Sequence, residues 1–361
     1  MMTLLMFLAG LAALVAGADV LVRGASKMAL TFGISPLVVG LTIVAFGTSA
    51  PEMAVSVGAV LDGNTDIAIG NVVGSNIFNV LFILGISALI APLVVHLQLI
   101  RQEVPIMIGA SVLLLLLGWD GSLGMWDGAL LFGLLVAYTV FLVVQSRRQN
   151  SQHAEPTEFD EELRPVDPGA WDGKWPVQLA LIVVGLGLLV LGSDWLVSAA
   201  VVFAKSLGVS DVVIGLTIVA AGTSMPEVAT SVAAALKGER DIAVGNVVGS
   251  CTFNLLGCLG LSGLAAGATG LPVAASVMAF DIWVMLACAL ACLPVFLTGR
   301  EIARWEGGVF LAYYAAYVAY LILAAQQHDA LAPFSAAMMG FVIPLSLVTL
   351  VVSVLRRAPG H

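Results

Sequence analysis

One segment of this chain occurs twice. Residues 33–88 align with residues 208–263 at a constant offset of 175 and without a gap, and 35 of the 56 aligned positions are identical. The first copy contains GLTIVAFGTSAPE (40–52) and DIAIGNVVGSNIFN (66–79). The second contains GLTIVAAGTSMPE (215–227) and DIAVGNVVGSCTFN (241–254). The offset extends back into the first apolar run, where Gly17, Asp19, Leu21 and Val22 match Gly192, Asp194, Leu196 and Val197. Two copies of one unit must fold as two related halves. How the halves relate depends on how many times the chain crosses its solvent.

That solvent is lipid. Hydrophobic residues make up 60% of the 361 positions and charged residues 10%, against about 45–50% and about 25% in soluble domains. Mean hydropathy is +1.06. In water such a chain would expose large apolar patches, which excludes a soluble enzyme and a disordered protein. A net charge of −9, from 23 acids and 14 bases, leaves no basic face for nucleic acid. The four cysteines (Cys251, Cys258, Cys288, Cys292) lie in apolar runs without a CxxC pair and read as small buried residues.

A membrane span needs about 20 mostly apolar residues. Eleven runs qualify, at 3–22, 35–60, 66–91, 104–119, 126–145, 177–200, 211–236, 241–266, 276–297, 305–325 and 334–355. The first lacks a basic region before it and belongs to the repeat, so it reads as a retained span rather than a signal peptide. With the N-terminus outside, the inside segments hold Arg23, Lys27, Arg101, Arg147, Arg148, Arg164, Lys174, Lys237, Arg240, Arg300, Arg304, Arg356 and Arg357, and the outside segments hold Lys205 alone. Thirteen against one follows the positive-inside rule, and an even number of spans would destroy the alternation.

Each half then holds five spans. Five is odd, so the second copy sits upside down relative to the first, the inverted-repeat plan of many secondary transporters. The expected fold is all-α: a polytopic membrane protein with two inverted five-helix repeats forming a ten-helix core, plus one extra C-terminal helix. The expected segments are a first membrane repeat (1–145), a cytoplasmic acidic linker (146–176), a second, inverted repeat (177–325) and an added helix and tail (326–361). The linker carries Glu155, Glu158, Asp160, Glu161, Glu162, Asp167 and Asp172 without EF-hand spacing, and reads as a solvated connection.

Glu52 and Glu227 lie near the middle of long apolar runs, at equivalent positions. A charge at that depth costs about 2.5–3.5 kcal/mol on insertion scales. No Lys or Arg lies at that depth, so a mobile cation is the simplest partner. Pro51 and Pro226 cannot donate a backbone hydrogen bond, and Gly47 and Gly222 loosen the preceding turn. Each span should therefore break into two half-helices, capped by Thr48 or Ser49, with free carbonyls near Ala45 and Phe46 facing a cation. Asn71, Ser75 and Asn79 share one face of the next span, as do Asn246, Ser250 and Asn254. Gly70, Gly74, Gly245 and Gly249 form a small-residue stripe for close helix packing. Two carboxylates, the hydroxyls of Thr48, Ser49, Thr223 and Ser224, and the Ser and Asn side chains of the next span form an all-oxygen donor set. Such a set favours Ca²⁺, Na⁺ or Mg²⁺ over zinc or copper, and its flexible ligands suit Ca²⁺.

The paired GTS-x-PE and GNVVGS-x-x-FN motifs resemble the α-repeats of the cation/calcium exchanger superfamily, most of all its prokaryotic sodium/calcium exchanger branch. The resemblance covers both halves and the ten-span core. It implies exchange of Na⁺ for Ca²⁺ by alternating access, with spans one and six sliding past an eight-helix bundle. Carried over by position, the ion ligands are Thr48, Ser49, Glu52, Ser75 and Asn79 with Thr223, Ser224, Glu227, Ser250 and Asn254, and the backbone carbonyls of Ala45 and Ala220 serve Na⁺. Asp19 and Asp194 are expected to be structural groups near the interface. Three features depart from the family pattern. Asn254 stands where some members have Asp, which argues against K⁺ dependence; Cys251 stands opposite Asn76; and the eleventh span is additional.

Within transport, proton coupling is the alternative, but its GN-x-x-E-H pattern has a His after the acid where this chain has Met53 and Val228. A Na⁺-coupled exchanger of another divalent cation and a passive cation channel also remain open. No Ser/His/Asp set, HExxH or cofactor loop appears, so neither enzymatic activity nor a cofactor is expected. The expected protein is a multi-pass protein of the cell membrane (inner or plasma), with its N-terminus outside and its linker and C-terminus cytoplasmic. Its expected partners are Na⁺, Ca²⁺ and the bilayer, with no nucleic acid and no obligatory protein partner.

Overall fold

In hydrocarbon every backbone N–H and C=O must be satisfied within the chain, so an apolar span folds as a helix. The computed structural model describes residues 2–32, 34–63, 65–152, 172–206 and 220–356. Among them are the helices α1 (Met2–Phe32), α4 (Ile67–Ile90), α5 (Leu99–Asp120), α6 (Met125–Ser146), α7 (Trp175–Phe203), α9 (Arg240–Thr269), α10 (Val277–Leu297), α11 (Arg304–Ala325) and α12 (Leu331–Val351), each long and apolar enough to cross a membrane. A further span is the bent pair α2 (Pro36–Thr48) and α3 (Ala50–Leu61), and the shorter α8 (Met225–Leu236) ends the seventh expected span. The beginning of that span, 211–219, lies outside the described residues. Helix also extends past some apolar runs: α1 continues from the run ending at residue 22 to Phe32, and α5 starts at Leu99 rather than 104.

The repeated motifs lie at the centre. The central part of helix α9 is wholly buried and that of α4 mostly so, whereas the central part of the added α12 is not buried at all. Helices α1 and α7, counterparts in the two halves, pack closely along their length. A Cβ on Gly10 would stand 2.8 Å from the Gly192 carbonyl oxygen, and one on Gly17 would stand 2.9 Å from that of Gly185. The 175-residue offset turns Gly10 into Gly185 and Gly17 into Gly192, so the two contacts are images of one another.

Two short antiparallel strand pairs join the halves. Strand β1 (Leu93–Val94) pairs with β4 (Glu301–Ile302), and β2 (Ser122–Leu123) pairs with β3 (Leu271–Pro272). The loop after α4 therefore meets the loop after α10, not its own counterpart after α9. Halves of equal orientation would bring counterpart loops to the same face, so the cross-pairing reflects inversion. Helix α5 separates β1 from β2 and puts the two pairs at opposite ends of the bundle.

The last part of the expected linker is docked rather than simply solvated. Arg23 contacts Asp172 Oδ2 at 2.7 Å, and Lys27 approaches Oδ1 at 3.5 Å. Gln178 Nε2 donates to the Asp172 carbonyl at 3.2 Å and to Thr31 Oγ1 at 2.8 Å. The Arg23 hydrogen bond, with Lys27 nearby, holds the Asp172 carboxyl below the usual aspartate range. The other linker acids, from Glu155 to Asp167, lie outside the described residues. All four cysteines are buried and free. Gly245 and Gly249 press on α2, where a Cβ would stand 3.1 Å from the Leu37 carbonyl oxygen and 2.8 Å from that of Leu41. Gly70 and Gly74 meet nothing that close among the described residues, and the counterparts of Leu37 and Leu41, at 212 and 216, fall outside them.

Candidate cation site

Proline sets the backbone of the site. Ser49 is the single non-helical residue between α2 and α3, and the axis bends there by 42°. The helix bonds continue through the bend: Ser49 N–H donates to the Ala45 carbonyl at 3.0 Å, and Met53 N–H donates to the Ser49 carbonyl at 3.1 Å. The expected pair of separate half-helices is thus one bent span. The Ala45 carbonyl is not free, since it also accepts Thr48 Oγ1 at 3.4 Å. The physical reason is that Pro51 removes only one donor, the one that would serve Gly47 four residues earlier. In the second copy the corresponding carbonyl, of Gly222, accepts the hydroxyl of Ser193 on α7. Ala220 opens the helical turn Ala220–Gly222 ahead of the second bend.

Ser49 and Ser224 occupy the positions that cap α3 and α8, but neither hydroxyl caps its helix. Each crosses to the other repeat instead. Ser49 Oγ donates to Glu227 Oε1 at 3.1 Å, and Ser224 Oγ donates to Glu52 Oε1 at 2.7 Å. Both carboxylates are fully buried. In each, Oε2 is buried with no hydrogen-bond partner, and neither glutamate has a basic ion-pair partner among the described residues.

The following helices complete the cluster. Ser250 Oγ lies 3.4 Å from Glu227 Oε1 and 3.4 Å from Thr48 Oγ1, which donates to Asn246 Oδ1 at 3.1 Å. Ser224 Oγ lies 3.3 Å from Ser75 Oγ. Thr223 Oγ1 is buried near Glu52, without a well-formed hydrogen bond among the described residues. Asn71 donates to Ser56 at 3.0 Å and to the Glu52 carbonyl at 3.3 Å, and Asn246 donates to Ser231 at 2.9 Å and to the Glu227 carbonyl at 3.5 Å. These amides brace the glutamate helices. Ser56 and Ser231 were missed as their partners, although both stand four residues after a glutamate and are preserved between the copies.

Asn79 and Asn254 each begin a widened turn in which the N–H five residues on, of Leu84 or Leu259, reaches back to the asparagine carbonyl. Such π-turns inside helices often mark functional positions. Asp19 stands apart from the cluster and pairs with Lys237 at 2.7 Å, which agrees with a structural role at the end of the bundle.

The structure thus brings Thr48, Ser49, Glu52, Ser75, Ser224, Glu227 and Ser250 into linked contacts that draw on both repeats. The donors are all oxygens. Two buried carboxylates, without a basic partner among the described residues, form a cluster whose chemistry suits a small hard cation.

Comparison with known proteins agrees with this chemistry. The sodium/calcium exchanger protein family matches residues 2–144 and 177–323. The sodium/calcium exchanger MaX1 of Methanosarcina acetivorans is 35% identical over 344 residues, covering 88% of this chain and 97% of the relative. The inner membrane protein YrbG of Escherichia coli is 38% identical over 259 residues, covering 72% and 78%. The solved sodium-calcium exchanger NCX_Mj, soaked with Na⁺ and Ca²⁺, superposes with a TM-score of 0.74 at 30% identity, covering 88% of this chain and 98% of that one. The chain is a multi-pass membrane protein and belongs to the sodium/calcium exchanger protein family.

Proposed function

We propose that this cation/calcium exchanger is a secondary active antiporter that moves Na⁺ against Ca²⁺ by alternating access and exports Ca²⁺ from the cell. The observation that carries the reading is the reciprocal crossing of Ser49 to Glu227 and Ser224 to Glu52 around two buried carboxylates that lack a basic partner among the described residues. Two carboxylates balance one Ca²⁺. The surrounding hydroxyls and amides can supply the rest of the six to eight oxygen ligands that Ca²⁺ takes in all. The proposed ligand set is Glu52, Glu227, Thr48, Ser49, Thr223, Ser224, Ser75, Ser250, Asn79 and Asn254; when Na⁺ is bound, the carbonyl of Ala220 is added, and that of Ala45 once the Thr48 hydroxyl turns away from it. The names of MaX1 and of the exchanger soaked with Na⁺ and Ca²⁺ support Na⁺ as the coupling ion.

Two inverted copies make a site that opens to either side at similar energy. The glycine-lined contact between α1 and α7 suits a pair of helices that slides as one body past the rest. The proposed membrane is the cell (inner or plasma) membrane, with the N-terminus outside and the segment 146–176 and the C-terminus cytoplasmic. Exchange of three Na⁺ for one Ca²⁺ would move one charge per cycle, biased by about 2.3 kcal/mol per 100 mV, so inward Na⁺ and potential gradients would drive Ca²⁺ outward.

The test is radioactive Ca²⁺ uptake into proteoliposomes loaded with Na⁺ and diluted into Na⁺-free buffer, with a pH-gradient arm and a no-gradient arm. Uptake that requires the Na⁺ gradient is the expected result. Uptake driven only by the pH gradient would replace Na⁺ by H⁺ as the coupling ion, and equal uptake in all arms would make the protein a channel.

A further inference from the structure

Behind the carboxylates, the polar side chains do not follow the repeat. Asn76 has Cys251 as its counterpart, and Ile83 has Cys258. Asn76, Cys251 and Cys258 are all buried. Asn76 Nδ2 donates to the backbone carbonyl of Cys251 at 3.3 Å and lies 3.7 Å from Met285 Sδ. A carbonyl can only accept, so this contact fixes which end of the Asn76 amide is nitrogen. Asn76 Oδ1 therefore faces Asn254 and accepts its Nδ2 at 3.3 Å. The Asn254 amide is oriented in turn: its Oδ1 accepts the thiol of Cys258, with Sγ at 3.5 Å. Both ends of Asn254 are held by the protein.

Asn79 is the counterpart of Asn254, and its amide oxygen is not engaged. Among the described residues, its Nδ2 and Oδ1 are buried without a well-formed hydrogen bond. Cys251 is a loose neighbour of the amide, but its thiol donates to the Asn76 carbonyl at 3.9 Å, so its sulfur can meet only the amide nitrogen. Ile83 has no polar atom to offer. A buried polar group without a partner is rare, and each instance calls for a cause. An amide oxygen that gives up nothing when a cation arrives is a better ligand than one that must first release a thiol.

We infer that the two repeats serve the cation unequally: within the ligand set Asn79 presents a free amide oxygen to the ion, while Asn76 and Cys258 are positioning residues that make Asn254 the weaker ligand. This rests on the exchange reading of the site and deepens it. The repeat supplies a built-in control, because Cys251→Asn with Ile83→Cys would copy the second-repeat network onto Asn79.

The experiment measures the KM and kcat of Ca²⁺ uptake in proteoliposomes, together with the Ca²⁺-dependent rise in melting temperature of the purified full chain. Asn79→Ala should raise KM about tenfold and Asn254→Ala less than about threefold, both with kcat far less affected. Cys251→Asn/Ile83→Cys should raise KM toward the Asn79→Ala value while keeping the ion-free melting temperature at or above wild type. Cys258→Ala should lower KM by releasing Asn254, and Cys258→Ser, which keeps a donor, should return it toward wild type. A purely structural role for Cys258 would lower the melting temperature and leave KM in place. Equal impairment in Asn79→Ala and Asn254→Ala, or an unchanged KM in the double variant, overturns the inference. A wild-type protein that neither transports Ca²⁺ nor is stabilised by it overturns the exchange reading, and this inference with it.

Discussion

The acids of this chain fall into two groups that are treated oppositely. At the ends of the bundle, Asp172 is held by Arg23 and Lys27, and Asp19 by Lys237. At its centre, Glu52 and Glu227 are fully buried, accept a serine hydroxyl from the opposite repeat, and have no basic ion-pair partner among the described residues. Burying a charge without a counter-charge is the more costly arrangement. The end acids have their counter-charges built into the chain, whereas in the proposed exchange the counter-charge of the central acids is the transported ion. Acids at the ends should therefore matter to stability, and acids at the centre to transport.

The sharpest break of this contrast is Glu52→Gln or Glu227→Gln. Removing one partner of a buried ion pair costs about 3–5 kcal/mol, so Ca²⁺ uptake should fall more than about 100-fold. The ion-free melting temperature should hold or rise, since one buried charge has been removed. Full flux in both variants would remove the glutamates from the site.

Ser49→Ala and Ser224→Ala come next. Hydrogen bonds to charged groups contribute about 1.5–3 kcal/mol, so each variant should lose roughly tenfold or more in Ca²⁺ affinity. Because the two contacts are images of one another, titration of Ca²⁺-dependent melting should give similar losses. A large inequality would mean that only one crossing touches the ion.

The end pairs should give the smallest effects. Asp19→Asn removes an exposed ion pair worth at most about 1 kcal/mol, so thermal unfolding should shift slightly and uptake should persist. For Asp172 the expected effect is pH-dependent. Its carboxyl is held low by Arg23 and Lys27, so its contribution is complete above the unfolded aspartate range and fades as pH falls through the lower folded value. Wild type and Asp172→Asn should differ in melting temperature at neutral pH and converge in acid. A loss of transport in either variant would erase the distinction between the two groups.

Much of the site was legible in advance because it is written twice. Glu52 and Glu227 stand out through insertion cost alone, and Ser75 and Ser250 follow from helical spacing. Local rules stop where another part of the chain intervenes. A proline suggests a free Ala45 carbonyl, but removing one donor at Pro51 does not interrupt the bond from Ser49. Its position suits Ser49 to cap its own helix, but a glutamate from the other repeat lies within reach of its hydroxyl. Its polar surroundings in sequence suggest a solvated Asp172, but Arg23 and Lys27, far away in sequence, close on it.

The sequence by itself determined the membrane as solvent, the inverted doubling and the oxygen-only chemistry. Each of these follows from local hydropathy, from residue type, or from the parity of spans between the copies. Only the tertiary structure decided that serines serve the opposite repeat's glutamate, that Asn254 is bound at both ends while Asn79 is not, and that the linker ends on α1. Apart from the local Cys258–Asn254 bond, those contacts join residues about 150 to 180 positions apart. They depend on helix crossings and amide orientations that hydropathy and periodicity do not encode.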